Sequence, residues 1–206
     1  MNTPFVVEFA GPPKSGKTTL IDRVKNGLKS HSIIKEVSMD SPVPKRKILK
    51  YMEWSANELI NKLIFFEEVA RKQVVLIDCG VLSQITLLNS FKALGMIKKR
   101  DEEFYKLIKE HLEKNLRRED LIFYIKLDFR KELKRIKDYQ FPEGFIINKR
   151  FLEVLNETYD ETVEEVQAEF KKLRIYKING AQSPVENSKI IREILRRELK
   201  SYKRLK

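Results

Sequence analysis

The sequence predicts a three-layer α/β fold, in which a five-stranded parallel sheet carries helices on both faces. Short apolar runs of β character alternate along the chain with longer stretches whose apolar residues recur at helical spacing. That alternation is the order of a parallel sheet built from crossover units. At 206 residues, 42% of them hydrophobic, the chain has the size of one domain and enough apolar material for a core. A glycine-punctuated loop separates the first apolar run from the first helical stretch, at the point where such sheets bind ligands.

The elements follow in order. The strands are expected over 5–9, 33–38, Val74–Asp78, 121–127 and 174–178. Leu20, Ile21, Val24 and Leu28 mark the first helix, and Phe104, Leu107, Ile108, Leu112 and Leu116 mark another. A long stripe runs through Phe151, Leu155, Tyr159, Val163, Val166, Phe170 and Leu173, with Asn148 as its N-cap. Ile190, Ile191, Ile194, Leu195 and Leu199 define the last helix. Two segments exceed this scaffold. Residues 41–50 carry Pro42 and Pro44 after the second strand, and residues 137–148 carry Pro142 and Gly144. Loops at the carboxyl edge of a sheet are where a substrate clamp or a closing lid belongs.

Gly11, Pro12, Pro13, Lys14, Ser15, Gly16, Lys17, Thr18 and Thr19 form "GPPKSGKTT", which matches G-x-x-x-x-G-K-[ST] between a strand and a helix pattern. The glycines let backbone N–H groups approach phosphate oxygens, and the helix that follows points its positive end at them. Lys17, read as an exposed loop side chain, is expected to reach the outer phosphates, and the Thr18 hydroxyl to ligate Mg2+. Asp78 ends the run "VVLID", where a buried acid needs a partner or a ligand. It is expected to hold the metal's water shell or steer a proton, with a helix N-cap as its alternative role.

Net charge is +12, with 35% of residues charged. The basic residues are scattered among acidic ones, which favours solvated faces over a polyanion partner, although nucleic acid stays open. No stretch approaches the roughly 18 apolar residues of a membrane span. The first residues enter a strand-like run without the pattern of a secretion signal. Cys79 is the one cysteine, so no internal disulfide can form and a cytoplasmic location is expected.

Together "GPPKSGKTT", "DCGVLS" and "DFRKELKRIK" resemble the nucleoside and nucleotide kinase group of P-loop proteins, thymidylate kinases and deoxynucleoside kinases above all. The resemblance spans nearly the whole chain. It implies one domain over residues 1–206 with a basic lid at about 130–148, using ATP and Mg2+ to phosphorylate a nucleoside or nucleoside monophosphate. It places lid cations at Arg130 and Arg135 and a base-contacting loop around Ala181. Asp78 and Ser83 match the family's D-R-x-x-x-S pattern, whereas Cys79 replaces its arginine. The family's acid-proline element after the second strand has its nearest counterpart in Asp40, before Ser41 and Pro42. Asp40 is thus a candidate general base, with a turn residue as the alternative. Tyr51 and Trp54, three apart on one helical face, could stack a base or fill the core. No N-K-x-D guanine motif is present, which excludes a GTPase switch of that kind. A polynucleotide 5′-hydroxyl kinase and a non-catalytic nucleotide-binding module are the other readings, and a homodimer is left open.

Overall fold

The computed structural model describes residues 3–70, 73–137 and 148–205. Strands β1 (Phe5–Ala10), β2 (His31–Ile34), β3 (Val74–Asp78), β4 (Leu121–Lys126) and β5 (Arg174–Asn179) form one parallel sheet in the order β2-β3-β1-β4-β5. The expected α/β architecture is therefore present. β1 lies in the middle, and its residues are buried along their whole length.

Helix α1 (Lys17–Lys25) carries the chain from β1 outward past β3 to β2. Helix α2 (Ile48–Val69) brings it back, and α3 (Val81–Ala93) with α4 (Glu102–Leu116) leads from β3 to β4. Helices α5 (Phe129–Lys137) and α6 (Lys149–Glu169) precede β5, and α7 (Pro184–Leu205) closes the chain. Right-handed crossovers require the outward and return connections to lie on opposite faces. The core is split accordingly. Leu20, Ile21 and Val24 of α1 and Ile191 and Leu195 of α7 pack on Phe5, Val7 and Phe9. The opposite face of β1, with Val6 and Ala10, meets the layer formed by α2, α3, α4 and α6. Glu8 lies on that second face by strand alternation.

Asn148 caps α6 as expected, its Oδ1 accepting from Phe151 N at 2.9 Å. Two expectations change. The second strand stops at Ile34, opposite Ile77, and does not continue to Ser38. β2 is an edge strand with one neighbour, and beyond it the chain turns at Glu36 into a short 3-10 helix, Val37–Asp40. On α4 the buried stripe is Tyr105, Ile108, Leu112 and Leu116, whereas Leu107 is 63% exposed. Tyr105 completes the three- and four-residue spacing, and Leu107 falls outside it. Of the expected lid, residues 138–147 lie outside the described residues; α5 precedes them. Among the described residues, no helix is long and apolar enough to cross a membrane.

Candidate functional site

The loop between β1 and α1 holds its shape through unusual backbone geometry. Gly11, Lys14 and Gly16 have φ of 144°, 58° and 103°. A Cβ on Gly11 would stand 2.5 Å from Ile125 O, so only glycine fits there. Gly16 is the N-cap of α1 without a side-chain cap, and the first turn contains no acid. The positive end of the helix thus faces the loop without an internal anion. Ser15 Oγ, within this loop, is buried and has no hydrogen-bond partner.

Lys17 is buried, not exposed as a loop lysine would be: only 8% of its surface remains accessible. Its Nζ folds back to donate to Gly11 O at 2.8 Å and Pro12 O at 2.9 Å. Burial pulls its pKa down, but neighbouring anions, Asp78, Glu36 and Glu132 among them, raise it above the ordinary range. The ammonium is therefore charged, with two loop carbonyls as its partners.

Thr18 Oγ1 donates to Asp78 Oδ2 at 2.5 Å, joining the first turn of α1 to the tip of β3. Burial raises the Asp78 carboxyl, with Lys17 and Thr18 opposing it. Among the described residues, no group of three or more His, Cys, Asp or Glu side chains could hold a metal. A hydroxyl and one carboxylate beside a phosphate-binding loop nevertheless suit Mg2+, which takes few protein oxygens and completes its shell with phosphate and water. Asp78 does not cap α3. Gly80 occupies the cap, and Glu8 and Glu119 take the helix's first N–H groups. Cys79 has φ of 60°, and burial pushes its thiol well up, with Glu36, Asp78 and Glu8 adding to the effect. It is a neutral thiol at ordinary pH.

The acceptor side differs from the expectation. Asp40 is exposed at the end of the 3-10 helix. Glu36 is partly buried and accepts from Ser38 Oγ. Its charge acts on Lys17, Asp78 and Cys79, so Glu36 is an acid close to the phosphate loop. Extending the second strand to Ser38 hid this residue inside a strand; the available signal was an acid two residues after Ile34, where the apolar run ends. Tyr51 belongs to the core, donating its hydroxyl to Ser38 O at 3.2 Å, while Trp54 is half-buried.

Arg135 of α5 spans the other side of the loop. Its guanidinium donates to Lys14 O at 3.0 Å, Ser15 O at 3.5 Å and Gly180 O at 3.0 Å. A Cβ on Gly180 would lie 3.3 Å from Ser15 O, so the β5–α7 loop containing Ala181 abuts the phosphate loop. Arg130 is exposed and makes no such bridge. The structure thus brings Arg135, Ala181, Lys17, Thr18 and Asp78 together and leaves Arg130 and Asp40 at the surface.

Glu132 lies one turn before Arg135 and has no exposed surface. Asn156 Nδ2 donates to its Oε2, and Oε1 has no partner. Burial pushes the carboxyl from 4.5 up to about 7, against the Asn156 hydrogen bond and the Lys17 charge. Between those values the folded chain binds a proton that the unfolded chain has lost. Stability therefore falls as pH rises from about 4.5 to about 7 and levels off above. Glu132→Gln should remove that slope, which amounts to about 3 kcal/mol. Melting temperature against pH measures it; parallel curves for the variant and wild type would show that Glu132 is ionised in the fold.

A family model described as deoxynucleoside kinase matches residues 7–201. No curated protein matches the chain. Among solved structures, a deoxyadenosine kinase from M. mycoides with bound dCTP is similar at TM-score 0.76 and 17% identity, covering 93% of this chain and 99% of that one. The same enzyme with bound dATP gives 0.73 and 15%, covering 93% and 100%. Thymidylate kinase from Candida albicans gives 0.65 and 13%, covering 94% and 92%. At these identities the structural likeness speaks for the fold alone.

Proposed function

The chain belongs to the deoxynucleoside kinase family, and from that premise we propose that it transfers the γ-phosphoryl group of ATP to the hydroxyl of a nucleoside. The observation that carries this reading is the convergence of Lys17, the Thr18–Asp78 pair and Glu36 at the carboxyl ends of β1, β3 and β2. In this reading the chain is a single catalytic domain acting in the cytoplasm, and α5 contributes to its lid.

In this reading Gly11, Pro12, Pro13, Lys14, Ser15, Gly16, Lys17, Thr18 and Thr19 cradle the phosphate chain, and the segment at Ala181 flanks the nucleotide's base. Lys17 exchanges its carbonyl partners for phosphate oxygens. Thr18 and Asp78 would hold Mg2+, which would offset the charge of the phosphate chain. Arg135, already drawn over the loop, faces the charge that develops as the phosphoryl group moves. Glu36 accepts the proton of the acceptor hydroxyl, a role that an acid near Lys17 can fill and the exposed Asp40 cannot without moving.

This assignment also favours a nucleoside over a nucleoside monophosphate. A hydroxyl needs a base; an ionised phosphate needs none and would be repelled by Glu36. An assay of ADP release with deoxynucleosides, their monophosphates and 5′-hydroxyl oligonucleotides tests the proposal. Stimulation by deoxynucleosides alone is the expected result. Stimulation by monophosphates alone would overturn the acceptor assignment, and stimulation by none of them would leave a nucleotide-binding module.

A further inference from the structure

Two carboxyl groups with no part in the reaction as described lie together beneath the β3–α3 turn. Glu8 projects from β1 with no exposed surface, and Glu119, just before β4, is 4% exposed. Between them they take the first backbone donors of α3. Val81 N donates to Glu119 Oε1 at 2.9 Å, Leu82 N to Glu8 Oε2 at 2.9 Å, and Ser83 N and Oγ to Glu8 Oε1 at 3.0 and 2.6 Å. A Cβ on Gly80 would stand 2.5 Å from Glu119 Oε1 and 2.8 Å from Glu8 Oε2, so the two carboxyls meet at a point that only glycine leaves open.

Two ionised carboxylates against the same buried glycine repel each other strongly. The hydrogen bonds decide how the repulsion is relieved. Glu8 accepts three donors at the N-terminal end of α3. Glu119 Oε2 is buried and accepts from nothing, which is the state of an oxygen that carries a proton. Burial pushes the Glu119 carboxyl well up, with Glu8 and Asp120 adding to the effect, and Cys79 and Tyr159 also feel the Glu8 charge.

We propose that Glu8 and Glu119 share one proton, and that this hydrogen-bonded pair positions the Asp78–Cys79–Gly80 turn for phosphoryl transfer. Both are positioning residues that act through α3's first turn. Asp78 stands two residues before that helix cap, and Cys79 N donates to Phe9 O at 3.2 Å, one residue beyond Glu8 on β1. Loss of the proton would set two like charges against each other beneath the residue that meets Thr18.

The proposal rests on the kinase reading for its activity readout, whereas an infrared readout is independent of it. In the full chain, at a pH well above 7 where Glu132 is ionised, a carboxylic-acid carbonyl band is expected in wild type and not in Glu119→Gln. Glutamine reproduces the protonated acid: its Oε1 accepts from Val81 N, and its N–H donates to Glu8. Glu119→Gln should therefore keep kcat within about twofold of wild type, whereas Glu119→Ala should lose tenfold to a hundredfold, about the cost of misplacing a reacting group. Glu8→Gln sets a donor against donors and should lose at least as much while keeping the band's acid on Glu119. The proposal is overturned if the band survives Glu119→Gln, or if glutamine at 119 is as damaging as alanine. Should the kinase reading fail, the band still decides whether Glu119 carries the proton.

Discussion

Lys17→Ala is expected to reduce phosphoryl transfer by three orders of magnitude or more, while the chain still unfolds cooperatively. Removing a single donor that stabilises developing charge costs about 10²- to 10³-fold in turnover. Lys17 is also the ammonium closest to the loop carbonyls, so its loss removes ground-state phosphate binding as well. Because it is buried beside Asp78, Glu36 and Glu132, the variant should also melt at a lower temperature. Lys17→Met separates the two effects, since it keeps the stem and removes only the charge. ADP release and thermal melts provide the measurements. Near-normal transfer in either variant would remove the phosphate-loop assignment.

Glu36→Gln is expected to lower kcat by about 10²- to 10⁴-fold, the usual contribution of a general base, with little change in ATP affinity. The amide keeps the size and can still accept from Ser38 Oγ, but it has lost the basic oxygen. Asp40→Asn, at the exposed end of the same 3-10 helix, should stay within a few-fold of wild type. The pair distinguishes two acids only four residues apart. A large loss at Asp40 with none at Glu36 would return the base to Asp40 and require the segment to rearrange around the acceptor. Small losses at both would indicate an acceptor that is already ionised, hence a monophosphate.

The loop between β1 and α1 was legible because its backbone geometry is local. Gly11 and Gly16 adopt φ values that other residues avoid, Lys17 and Thr18 follow at fixed positions, and apolar periodicity on both sides identifies the strand and the helix. The same applies to Asp78 at the tip of a buried strand and to Asn148 at the start of α6. The order of apolar runs and helical stripes was sufficient for a parallel sheet with helices on both faces. Leu107 was misplaced because Tyr105, which completes the buried stripe, carries a hydroxyl and reads as amphipathic.

What the sequence by itself determined was thus the fold class and the strand–loop–helix around Gly11–Thr19, both of which follow from spacing over a few residues. The tertiary structure alone decided which acid turns toward Lys17, which arginine closes on the loop and where the buried carboxyls go. Glu36 lies past the end of β2, an edge strand with one neighbour that stops pairing at Ile34, and its charge acts on Lys17. Arg135 rather than Arg130 reaches Ser15, 120 residues away, and Gly180, 45 residues away. Glu8 meets Leu82 across 74 residues, and Glu119 meets Val81 across 38. Such pairings depend on the angles at which packed elements meet, and those angles are set by the whole core rather than by the residues that touch.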